Sequence, residues 1–473
     1  MPSKQNEFLS SSDIQSLHDT SMKLLAEVGI QFPEDEALEI FKKNGVKVDG
    51  TTVYLTENQV RDAIETVPSS FTIQARNPEK SVTVGDGEPV FAPGYGAPFL
   101  IDYEEGKRAP TIEDYHNLVK LAHMLPNQDM SGHLIVEPGD VPSETAHLDM
   151  LLASILHSDK PFIGSAEGKT GALHTMEMGD ILFGEKAEKP FTICLINSLS
   201  PLGYGTEMIE ALIEYARAGQ PAVLAALIMA GSTGPITLPG VVAVQNAELL
   251  AGITLAQLIN PGTPVLYGST STNIDMRTGA LALGGPECSL YIKTHAALAE
   301  FYGLPTRGGG SLTDSSLVDA QAGYESMLSM LTTVNSGIDF VLHAAGILGS
   351  FLAFSYEKFV VDDEICGMMR NYTKKIEVSE ATLAYDVITK VGAGGHFLAE
   401  PHTLDRCRTE FWQPNLSDRS GIEAWWGGEQ LDTAARAHHR WQDLVEKHED
   451  PELDEAIVQE LKTYVEAQKE ATE

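Results

Sequence analysis

A repeated unit dominates this sequence and constrains the fold more than any other feature. The unit is an amphipathic helix, a break at Gly or Pro, and a short apolar run that ends in small or polar residues. In one clear copy, a helical pattern stops at Gly219 and Pro221 and leads into the apolar run 222–229. We count about eight such runs, each as long as a buried parallel strand and apolar nearly throughout rather than alternating. They are 90–93, 132–137, 162–166, 191–197, 223–229, 265–268, 305–310 and 340–346.

Eight helix-and-strand units predict an α/β fold, a (βα)8 TIM barrel. Enzymes with this fold build their sites from residues at the carboxyl ends of the strands and from the loops that follow. The sequence therefore predicts a site from the polar and large residues at these ends: Tyr95, His133, Glu137, Glu167, Asn197, Met229, Ser269, Arg307 and His343.

A chain of 473 residues is longer than a bare barrel and needs extensions at both ends. We expect a small N-terminal helical and hairpin cap at 1–85, the barrel at 86–400 and a helical C-terminal extension at 401–473. The cap has helical patterns at 8–30, 33–43 and 56–66, the last opened by Thr56, with a hairpin around Asp49-Gly50 between them. The charged helical segment 424–467 either wraps the barrel or joins subunits.

Composition excludes several classes of partner. The net charge of −35 argues against nucleic acid and against an anionic membrane surface. No uninterrupted apolar stretch of about 18 residues stands out, and the N-terminus lacks the form of a signal peptide, so we expect a cytoplasmic protein. The four cysteines are far apart, which favours buried thiols over disulfides or a thiolate zinc site.

Small residues cluster in the loops after the predicted strands, as in the segments 94–96, 231–234, 268–271 and 308–310. Such clusters let a ligand come close to the backbone. None has the spacing of a phosphate or dinucleotide loop, and motifs of the common hydrolases are missing. His396 and His402 are spaced six apart, but hydrogen-bonded structural roles are favoured for them, so we predict no metal site.

Several long blocks of sequence carry a family resemblance. They are GPITLPGVVAVQNAELLAGITLAQLINPGTPVLYG (234–268), DMRTGALALGGPE (275–287), DAQAGYES (319–326), SYEKFVVDDEI (355–365) and GGHFLAEPHT (394–403). Together with the N-terminal LLAEVGIQFPEDEALEIFKKNGVKVDG and VPSSFTIQARNP, they resemble the trimethylamine methyltransferase (MttB) superfamily from about residue 10 to about residue 445.

The resemblance implies a (βα)8 methyltransferase that moves a methyl group from an amine to the Co(I) of a separate corrinoid protein, in one-carbon metabolism of the methanogenic and acetogenic type. Trimethylamine-specific members carry pyrrolysine near the eighth strand, whereas this chain has ordinary residues through 343–348. It therefore resembles the non-pyrrolysine branch, which uses quaternary amines. Glycine betaine is the first candidate substrate, giving dimethylglycine, with proline betaine and carnitine as alternatives. We expect no tightly bound cofactor, a corrinoid (cobalamin) protein as partner and a homo-oligomer.

Physical chemistry supports a quaternary substrate. A quaternary ammonium already has a neutral amine as its leaving group, so its methyl transfer needs positioning rather than a base. Aromatic faces recognise such a cation, and Arg recognises the carboxylate of a betaine. Arg307 is the first candidate for the carboxylate and Arg277 the second, the alternative for both being an ion pair with Asp275 or Asp314. The predicted site has His343 as catalytic residue and, as substrate-binding residues, Tyr95, Glu167, Arg307, Gln321, Phe354, Tyr356 and Trp412.

Two other classes of function remain open from the residues. The first is a barrel that binds quaternary amines and does no chemistry, which turnover with reduced corrinoid would exclude. The second is a zinc-dependent corrinoid methyltransferase, which the scattered cysteines disfavour and metal analysis would decide.

Overall fold

The computed structural model describes residues 8–184 and 190–472. Seven strands form one parallel sheet, and they are numbered here in chain order. They are β1 (Val90–Pro93), β2 (Phe162–Ile163), β3 (Thr192–Asn197), β4 (Ala222–Ala226), β5 (Val265–Ser269), β6 (Thr306–Arg307) and β7 (Phe340–Ala345). The spatial order is β1-β7-β6-β5-β4-β3-β2. The sheet therefore curls as in a barrel, with one strand position between β1 and β2 unfilled.

The predicted strand at 132–137 does not form. Gly132 and Leu134 have φ of 87° and 40°, and such a left-handed backbone cannot continue a strand. The preceding residues still reach both edges of the sheet: the Asp129 N–H donates to the Phe91 carbonyl at 2.8 Å, and the Ser131 N–H donates to the Pro161 carbonyl at 2.9 Å. The prediction is therefore corrected to a curled sheet of seven parallel strands, and a full (βα)8 barrel is not confirmed.

Helices connect successive strands on the outside of the sheet. They are Ile112–Met124 and Ala146–His157 between β1 and β2, then Gly168–Phe183, Thr206–Arg217, Leu238–Ile259, Pro286–Tyr302, Ala320–Asn335 and Tyr356–Tyr372. Within the described ranges, one helix, Leu238–Ile259, is both long enough and apolar enough to cross a membrane. In its most apolar window, 89% of the residues are buried inside the protein, as expected of a core helix.

The N-terminal helices and the π-helical turn pack on the helix Leu238–Ile259, and the three N-terminal strands pair with one another in a small sheet. They are the helix Ser11–Lys23, the π-helical turn Leu24–Val28, the helices Asp35–Lys43 and Glu57–Ile64, and the strands Ile30–Gln31, Lys47–Asp49 and Thr52–Tyr54. The predicted hairpin is confirmed, because Lys47–Asp49 pairs antiparallel with Thr52–Tyr54. The predicted Thr56 cap is confirmed as well: its side chain accepts from the Gln59 N–H in a capping box.

A second hairpin, Phe71–Ile73 with Val82–Val84, closes the end of the sheet at which the strands begin. The Gln74 N–H donates to the Pro190 carbonyl, just before β3, at 2.6 Å. Side chains of this hairpin form one cluster with the inward-facing side chains of the strands: Phe71, Ile73, Val84, Val90, Ala92, Ile163, Ile193, Leu195, Val223, Ala225, Leu266, Phe340 and Leu342. This apolar plug leaves the carboxyl ends of the strands as the place for a polar site.

Short strands lie in the loops that follow β1, β4, β5 and β7. They are Phe99–Asp102, Gly106–Arg108, Met229–Ala230, Thr272–Ile274, Leu281–Ala282, Ile347–Leu348 and Ala353–Phe354. They form two small sheets, one of four strands and one of three. Since they follow the carboxyl ends of the main strands, they give the loops around the predicted site a fixed framework.

The C-terminal helices are Glu380–Leu383, Tyr385–Val391, Pro401–Arg406, Ile422–Gly427, Thr433–Glu446 and Glu455–Thr472. Thr433–Glu446 packs on Tyr356–Tyr372 and Ile112–Met124, and Glu455–Thr472 packs on Gly168–Phe183 and Ala146–His157. One carboxylate oxygen of Glu357 accepts from Trp441 Nε1 at 2.8 Å and lies 2.9 Å from His438 Nδ1. Of the two expected arrangements, wrapping around the body of the protein is therefore observed for these last two helices.

Candidate active site

The loop after β1 meets the end of β7. The Tyr95 N–H donates a hydrogen bond of 3.2 Å to Nδ1 of His343. His343 has a φ of 74° and lies in an irregularity of the β1–β7 pairing, where Leu342 pairs with Ala92 but Ala345 pairs with Pro93. The irregularity turns His343 out of the regular register, a common device for aiming a side chain at a site.

The imidazole of His343 is neutral and has a defined tautomer. Burial, with a smaller contribution from Arg307, lowers the pKa of His343 well below its ordinary value. Because Nδ1 accepts the Tyr95 N–H, the hydrogen-bond network assigns the ring proton to Nε2. The ring packs against Phe351, with centroids 4.6 Å apart. His343 therefore presents an N–H donor that has no partner among the residues the structure describes.

Arg307 points into the interior of the curled sheet. It pairs with Gly268 of β5 and with Phe340 of β7, and Phe340 belongs to the interior cluster. Only 1% of Arg307 is exposed, and its guanidinium has neither a hydrogen bond nor an ion pair within residues 8–184 and 190–472. Burial lowers the pKa of Arg307 to about 9, so it remains charged at neutral pH. A buried cation without a counter-ion is costly, and a bound anion removes that cost.

The expected ion pairs of the two arginines have different outcomes. Asp314 accepts from the Leu283 N–H and the Ser350 hydroxyl, both at 2.7 Å, and does not pair with Arg307. Arg277 pairs with Asp275 at 3.3 Å, and 89% of its side chain is exposed. Of the two predicted carboxylate-binding arginines, Arg307 is buried and unpaired, whereas Arg277 is on the surface and paired.

Carboxylates lie close to Tyr95. Glu167 follows β2 at the start of the helix Gly168–Phe183, and 44% of its side chain is exposed. Burial, followed by repulsion from Glu207 and Glu137, raises the pKa of Glu167 to about 7. Burial also raises the pKa of the Tyr95 hydroxyl, with the next contribution from Glu167, so this phenol stays protonated. The carboxyl end of the curled sheet, which we call its mouth, thus combines one aromatic ring with a group of acidic side chains.

Two histidines extend this group inward. His147 Nδ1 is 3.4 Å from a carboxylate oxygen of Glu167, and His147 Nε2 is 2.8 Å from Nδ1 of His174. His133 is buried, and neither of its ring nitrogens has a partner in the described part of the chain. Burial lowers the pKa of His133 to about 3 and that of His147 to about 4, so both are neutral. The sequence gives no signal for His147, because it lies on a helix between β1 and β2 rather than at a strand end.

Four other predicted site residues have different surroundings. Phe354 is fully buried behind the loop of Gly94 and Tyr95, with its ring 5.3 Å from that of Phe359. Tyr356 stacks on Trp441 at 4.2 Å, and its hydroxyl donates to a carboxylate oxygen of Asp114 at 3.0 Å.

Gln321 donates to the Glu325 carboxylate at 3.0 Å. Trp412 carries the guanidinium of Arg419 over its ring at 5.3 Å. The contacts of these four side chains are with core or surface residues rather than with Tyr95, His343 or Arg307. Within the described ranges, no group of three or more His, Cys, Asp or Glu residues is arranged to hold a metal ion.

An inward-facing cation, an aromatic ring and carboxylates therefore lie at the carboxyl edge of a curled parallel sheet, the edge at which barrel enzymes build their sites. The model of the trimethylamine methyltransferase (MTTB) family matches residues 2–473. The chain belongs to this family and is a methyltransferase, which confirms the resemblance inferred from its motifs.

Two relatives and one solved structure are similar to this chain. Glycine betaine methyltransferase of Desulfitobacterium hafniense is 50% identical over 97% of this chain and 96% of its own length. Proline betaine:corrinoid methyltransferase of Eubacterium limosum is 34% identical over 88% of this chain and 87% of its own length. The crystal structure of monomethylamine methyltransferase from Methanosarcina barkeri matches with a TM-score of 0.50 at 14% identity, covering 91% of this chain and 92% of that one. This last similarity concerns the fold.

Proposed function

We propose that the protein transfers a methyl group from glycine betaine to the cobalt of a corrinoid carried by a separate protein, leaving dimethylglycine. The observation that carries the proposal is Arg307, a buried guanidinium on the inner face of the sheet that has no counter-ion in the described part of the chain. A betaine supplies the missing carboxylate, and two parallel N–H···O bonds from guanidinium to carboxylate are among the stronger hydrogen bonds in proteins. The Nε2–H of His343 is a second donor for the same carboxylate.

The other end of the substrate is a quaternary ammonium, which makes no classical hydrogen bond. The ring of Tyr95 offers an aromatic face, worth about 0.5–2 kcal/mol for a cation, depending on how well water is excluded. Glu137, Glu167 and Glu207 add negative potential at the mouth. Burial, and after it repulsion from Glu207 and Glu137, raises the pKa of Glu167. A zwitterion with its carboxylate inward and its methyl groups outward matches this order of charges.

The outward methyl groups suit the proposed chemistry. The corrinoid supplies an electron pair from Co(I) to the methyl carbon, and the carbon–nitrogen bond breaks with its electrons left on nitrogen. Because the departing amine is neutral, the protein has no base to provide, and its task is to fix one methyl in line with the acceptor. Tyr95, Arg307 and His343 therefore act by binding and orientation. We keep His343 as a catalytic residue because its Nε2–H would contact the substrate carboxylate, and we leave Phe354, Tyr356, Gln321 and Trp412 outside the proposed site.

Proline betaine and carnitine are the second candidates. Relatives named for activity on these two substrates are 34% and 32% identical to this chain, and both substrates have a carboxylate and a quaternary nitrogen. The described cysteines are all free thiols, which fits a reducing compartment, so a cytoplasmic location remains part of the proposal. Self-association is also part of the proposal.

A direct experiment measures the corrinoid spectrum while the purified protein is mixed with Co(I) cobalamin and one methylated amine. Glycine betaine, proline betaine, carnitine, choline, trimethylamine and dimethylglycine form the panel. We expect the fastest turnover with glycine betaine and essentially none with the two tertiary amines. Equal rates for trimethylamine and a betaine would refute the proposal, and binding of betaines without turnover would assign a purely binding role.

A further inference from the structure

Two histidines connect the carboxylate at the mouth to a second point near the protein surface. His147 lies on the helix Ala146–His157, and His174 lies on the helix Gly168–Phe183. His147 Nε2 is 2.8 Å from His174 Nδ1, and the two ring planes are 7° from parallel. On its other side, His147 Nδ1 is 3.4 Å from a carboxylate oxygen of Glu167. Glu167, His147 and His174, which we call the Glu-His-His row, are therefore three adjacent groups that can each hold a proton.

One helix carries both ends of the row. Glu167 is the cap residue at the amino end of Gly168–Phe183, and His174 follows it on the same helix. A separation of seven residues is about two turns, so the two side chains lie on one face, about 10 Å apart along the helix axis. That distance is too long for a direct hydrogen bond. His147, from the neighbouring helix, lies between the two ends and shortens each step to a contact.

The two ends of the row have different surroundings. The Glu167 side chain is 44% exposed at the mouth, where its charge acts on the Tyr95 hydroxyl. His147 is 3% exposed and His174 is 8% exposed. The His174 ring meets the ring of Tyr464, on the helix Glu455–Thr472, with 6.1 Å between centroids. The row therefore leads from the substrate side, through the interior, to a point beneath the C-terminal helix.

His147 leaves one of its nitrogens open. Nδ1 is buried and has no hydrogen-bond partner within residues 8–184 and 190–472, although the Glu167 oxygen is near it. Burial lowers the pKa of His147 to about 4 and also lowers that of His174, so both rings are neutral near pH 7. A neutral imidazole has one N–H and one bare nitrogen, so the proton of His147 faces either Glu167 or His174. A change between these two tautomers moves a proton along the row without forming an imidazolium.

The charged groups around the row act mainly on its inner end. Burial, and after it repulsion from Glu207 and Glu137, raises the pKa of Glu167 to about 7, so this carboxyl group both gains and loses a proton near neutral pH. The other charged side chains on the adjoining helices have contacts of their own: Asp149 with Lys469, Lys169 with Glu214, Glu210 with the Lys169 N–H, and Glu177 with the Tyr464 hydroxyl.

We propose that the Glu-His-His row delivers a proton to the amine that is left when the methyl group departs, an inference that rests on the proposed function. While the quaternary ammonium is bound, its charge keeps Glu167 a carboxylate, which accepts from His147 Nδ1–H. When the carbon–nitrogen bond breaks, the electron pair stays on nitrogen and the positive charge disappears. The neutral amine is a base, and its lone pair is also the nucleophile of the reverse transfer. A proton on that nitrogen therefore prevents the return of the methyl group.

The proton path balances at each atom. One proton enters from water at His174 Nε2, the His174 Nδ1 proton moves to His147 Nε2, and the His147 Nδ1 proton moves to Glu167. Glu167 then gives its proton to the amine and is a carboxylate again. After the product leaves, Glu167 takes a proton from water at the open mouth and passes one outward along the row, which restores the first tautomers. Histidine is well suited to such a shuttle because its two nitrogens exchange roles.

The row is useful because the mouth is covered during the reaction. The methyl acceptor must stand in line with the bond that breaks, so it lies over the exposed side of Glu167. Water that reaches Glu167 freely in the open protein is then kept away from it. His174 is about 10 Å farther along its helix, away from that cover, and remains a place for a proton to enter.

The first test uses the protein without substrate. In protein labelled with nitrogen-15 in histidine, nuclear magnetic resonance shows which ring nitrogen carries the proton, and the variants His147→Gln and His174→Gln assign the signals. We expect both rings to change tautomer together, with one midpoint near pH 7, the pKa of Glu167. In Glu167→Gln the change should be absent. Histidines with a purely structural role would keep one tautomer from pH 5.5 to pH 8.5, and that result would overturn the proposal.

The second test measures turnover of glycine betaine with Co(I) cobalamin. A glutamine side chain donates and accepts hydrogen bonds but does not pass a proton on, so His147→Gln and His174→Gln should lower kcat by about tenfold or more. The dissociation constant for glycine betaine should stay within about twofold, because neither histidine binds the substrate. The matched control is His116→Gln, which removes a similar contact, His116 Nδ1 to His157 Nε2 at 2.7 Å, on other faces of the helices and should leave kcat unchanged.

Wild-type kcat in both glutamine variants would overturn the proposal, as would an equal loss in the His116→Gln control. The failure of the proposed function has a different signature. A wild-type protein that turns over no quaternary amine would refute that function and, with it, delivery of a proton to an amine. The tautomer measurement needs no substrate, so it shows separately whether the row itself moves a proton.

Discussion

The hydrogen bond from the Tyr95 N–H to His343 Nδ1 joins the first and the last strand of the sheet at their carboxyl ends. It has two effects on the site. It holds the short loop of Gly94, Tyr95 and Gly96 so that the Tyr95 ring stands at the mouth, and it leaves the His343 proton on the nitrogen that remains free. A recognition group and a donor are thus positioned by one contact before any substrate binds, which is the arrangement that makes proximity effective.

The first prediction concerns His343. His343→Ala removes the acceptor of the Tyr95 N–H and the packing on Phe351, so the free energy of unfolding should fall by about 1–3 kcal/mol and kcat/KM by about tenfold or more. His343→Asn is the control: Asn tolerates the φ of 74° and carries an oxygen acceptor, so its stability should stay near that of the wild type. Thermal unfolding and steady-state kinetics measure both. Unchanged kinetics in both variants would show that His343 has only a structural role.

The second prediction concerns the Tyr95 ring. Tyr95→Phe keeps the aromatic face and should change the affinity for glycine betaine little, whereas Tyr95→Ala should weaken it by about 0.5–2 kcal/mol. The backbone bond to His343 is available in both variants, so unfolding temperatures serve as the control. Isothermal titration with the substrate alone gives the affinities. If Tyr95→Phe lost as much affinity as Tyr95→Ala, the hydroxyl rather than the ring would bind the substrate.

The third prediction is a pH dependence. The pKa of Glu167 is about 7 in the free protein because of burial and of repulsion by Glu207 and Glu137. The carboxylate therefore gains its charge as the pH rises through 7, and the dissociation constant for a quaternary amine should fall between about pH 6 and pH 8. Glu167→Gln should flatten this profile. Glu207→Gln removes one source of repulsion and should move its midpoint to lower pH.

Stability should depend on pH in the opposite direction. A carboxyl group whose pKa is higher in the folded state stabilises the fold while it is protonated. This contribution is complete below the ordinary pKa of 4.5 and is lost as the pH rises to about 7. The variant Glu167→Gln should therefore gain in free energy of unfolding over the wild type across that window. An equal pH profile for the two proteins would show that Glu167 titrates with its ordinary pKa.

Much of the fold was predictable because the signal was local. Gly and Pro breaks with apolar runs located all seven observed strands, and the Thr56 cap needed only Gln59 three residues later. The run 132–137 failed for a tertiary reason. Its apolar residues look like a strand, but the Leu134 carbonyl accepts from the Gly96 N–H at 2.6 Å with Leu134 at a φ of 40°, a contact that no local pattern reveals.

The site residues at strand ends could be predicted from the sequence, whereas the contacts of those residues could not. Tyr95, Glu167, Arg307 and His343 could be named because they end apolar runs. That Arg307 faces the interior follows only from the register of three strands, and that His343 accepts the Tyr95 N–H follows from an irregularity in the pairing of β1 and β7. Tyr356 illustrates the converse: an aromatic near a strand end whose hydroxyl and ring both have structural partners, Asp114 and Trp441.

The last prediction separates binding from stability at Arg307. Replacement of an unpaired buried charge by an apolar side chain of similar length removes a desolvation cost, so Arg307→Met should stabilise the ligand-free protein or leave its stability unchanged. The same change should weaken glycine betaine binding by about 2–5 kcal/mol, since the substrate carboxylate loses its partner. Choline, which has the ammonium but no carboxylate, is the matched ligand, and its binding should weaken much less.

Denaturant unfolding without ligand and titrations with both ligands give the three quantities. An arginine with a structural partner would behave differently, because Arg307→Met would then lower the free energy of unfolding by several kcal/mol. The same change would then weaken the binding of betaine and of choline equally. Gain or neutrality in stability together with a loss confined to the carboxylate ligand is the combination that only a substrate-binding guanidinium produces.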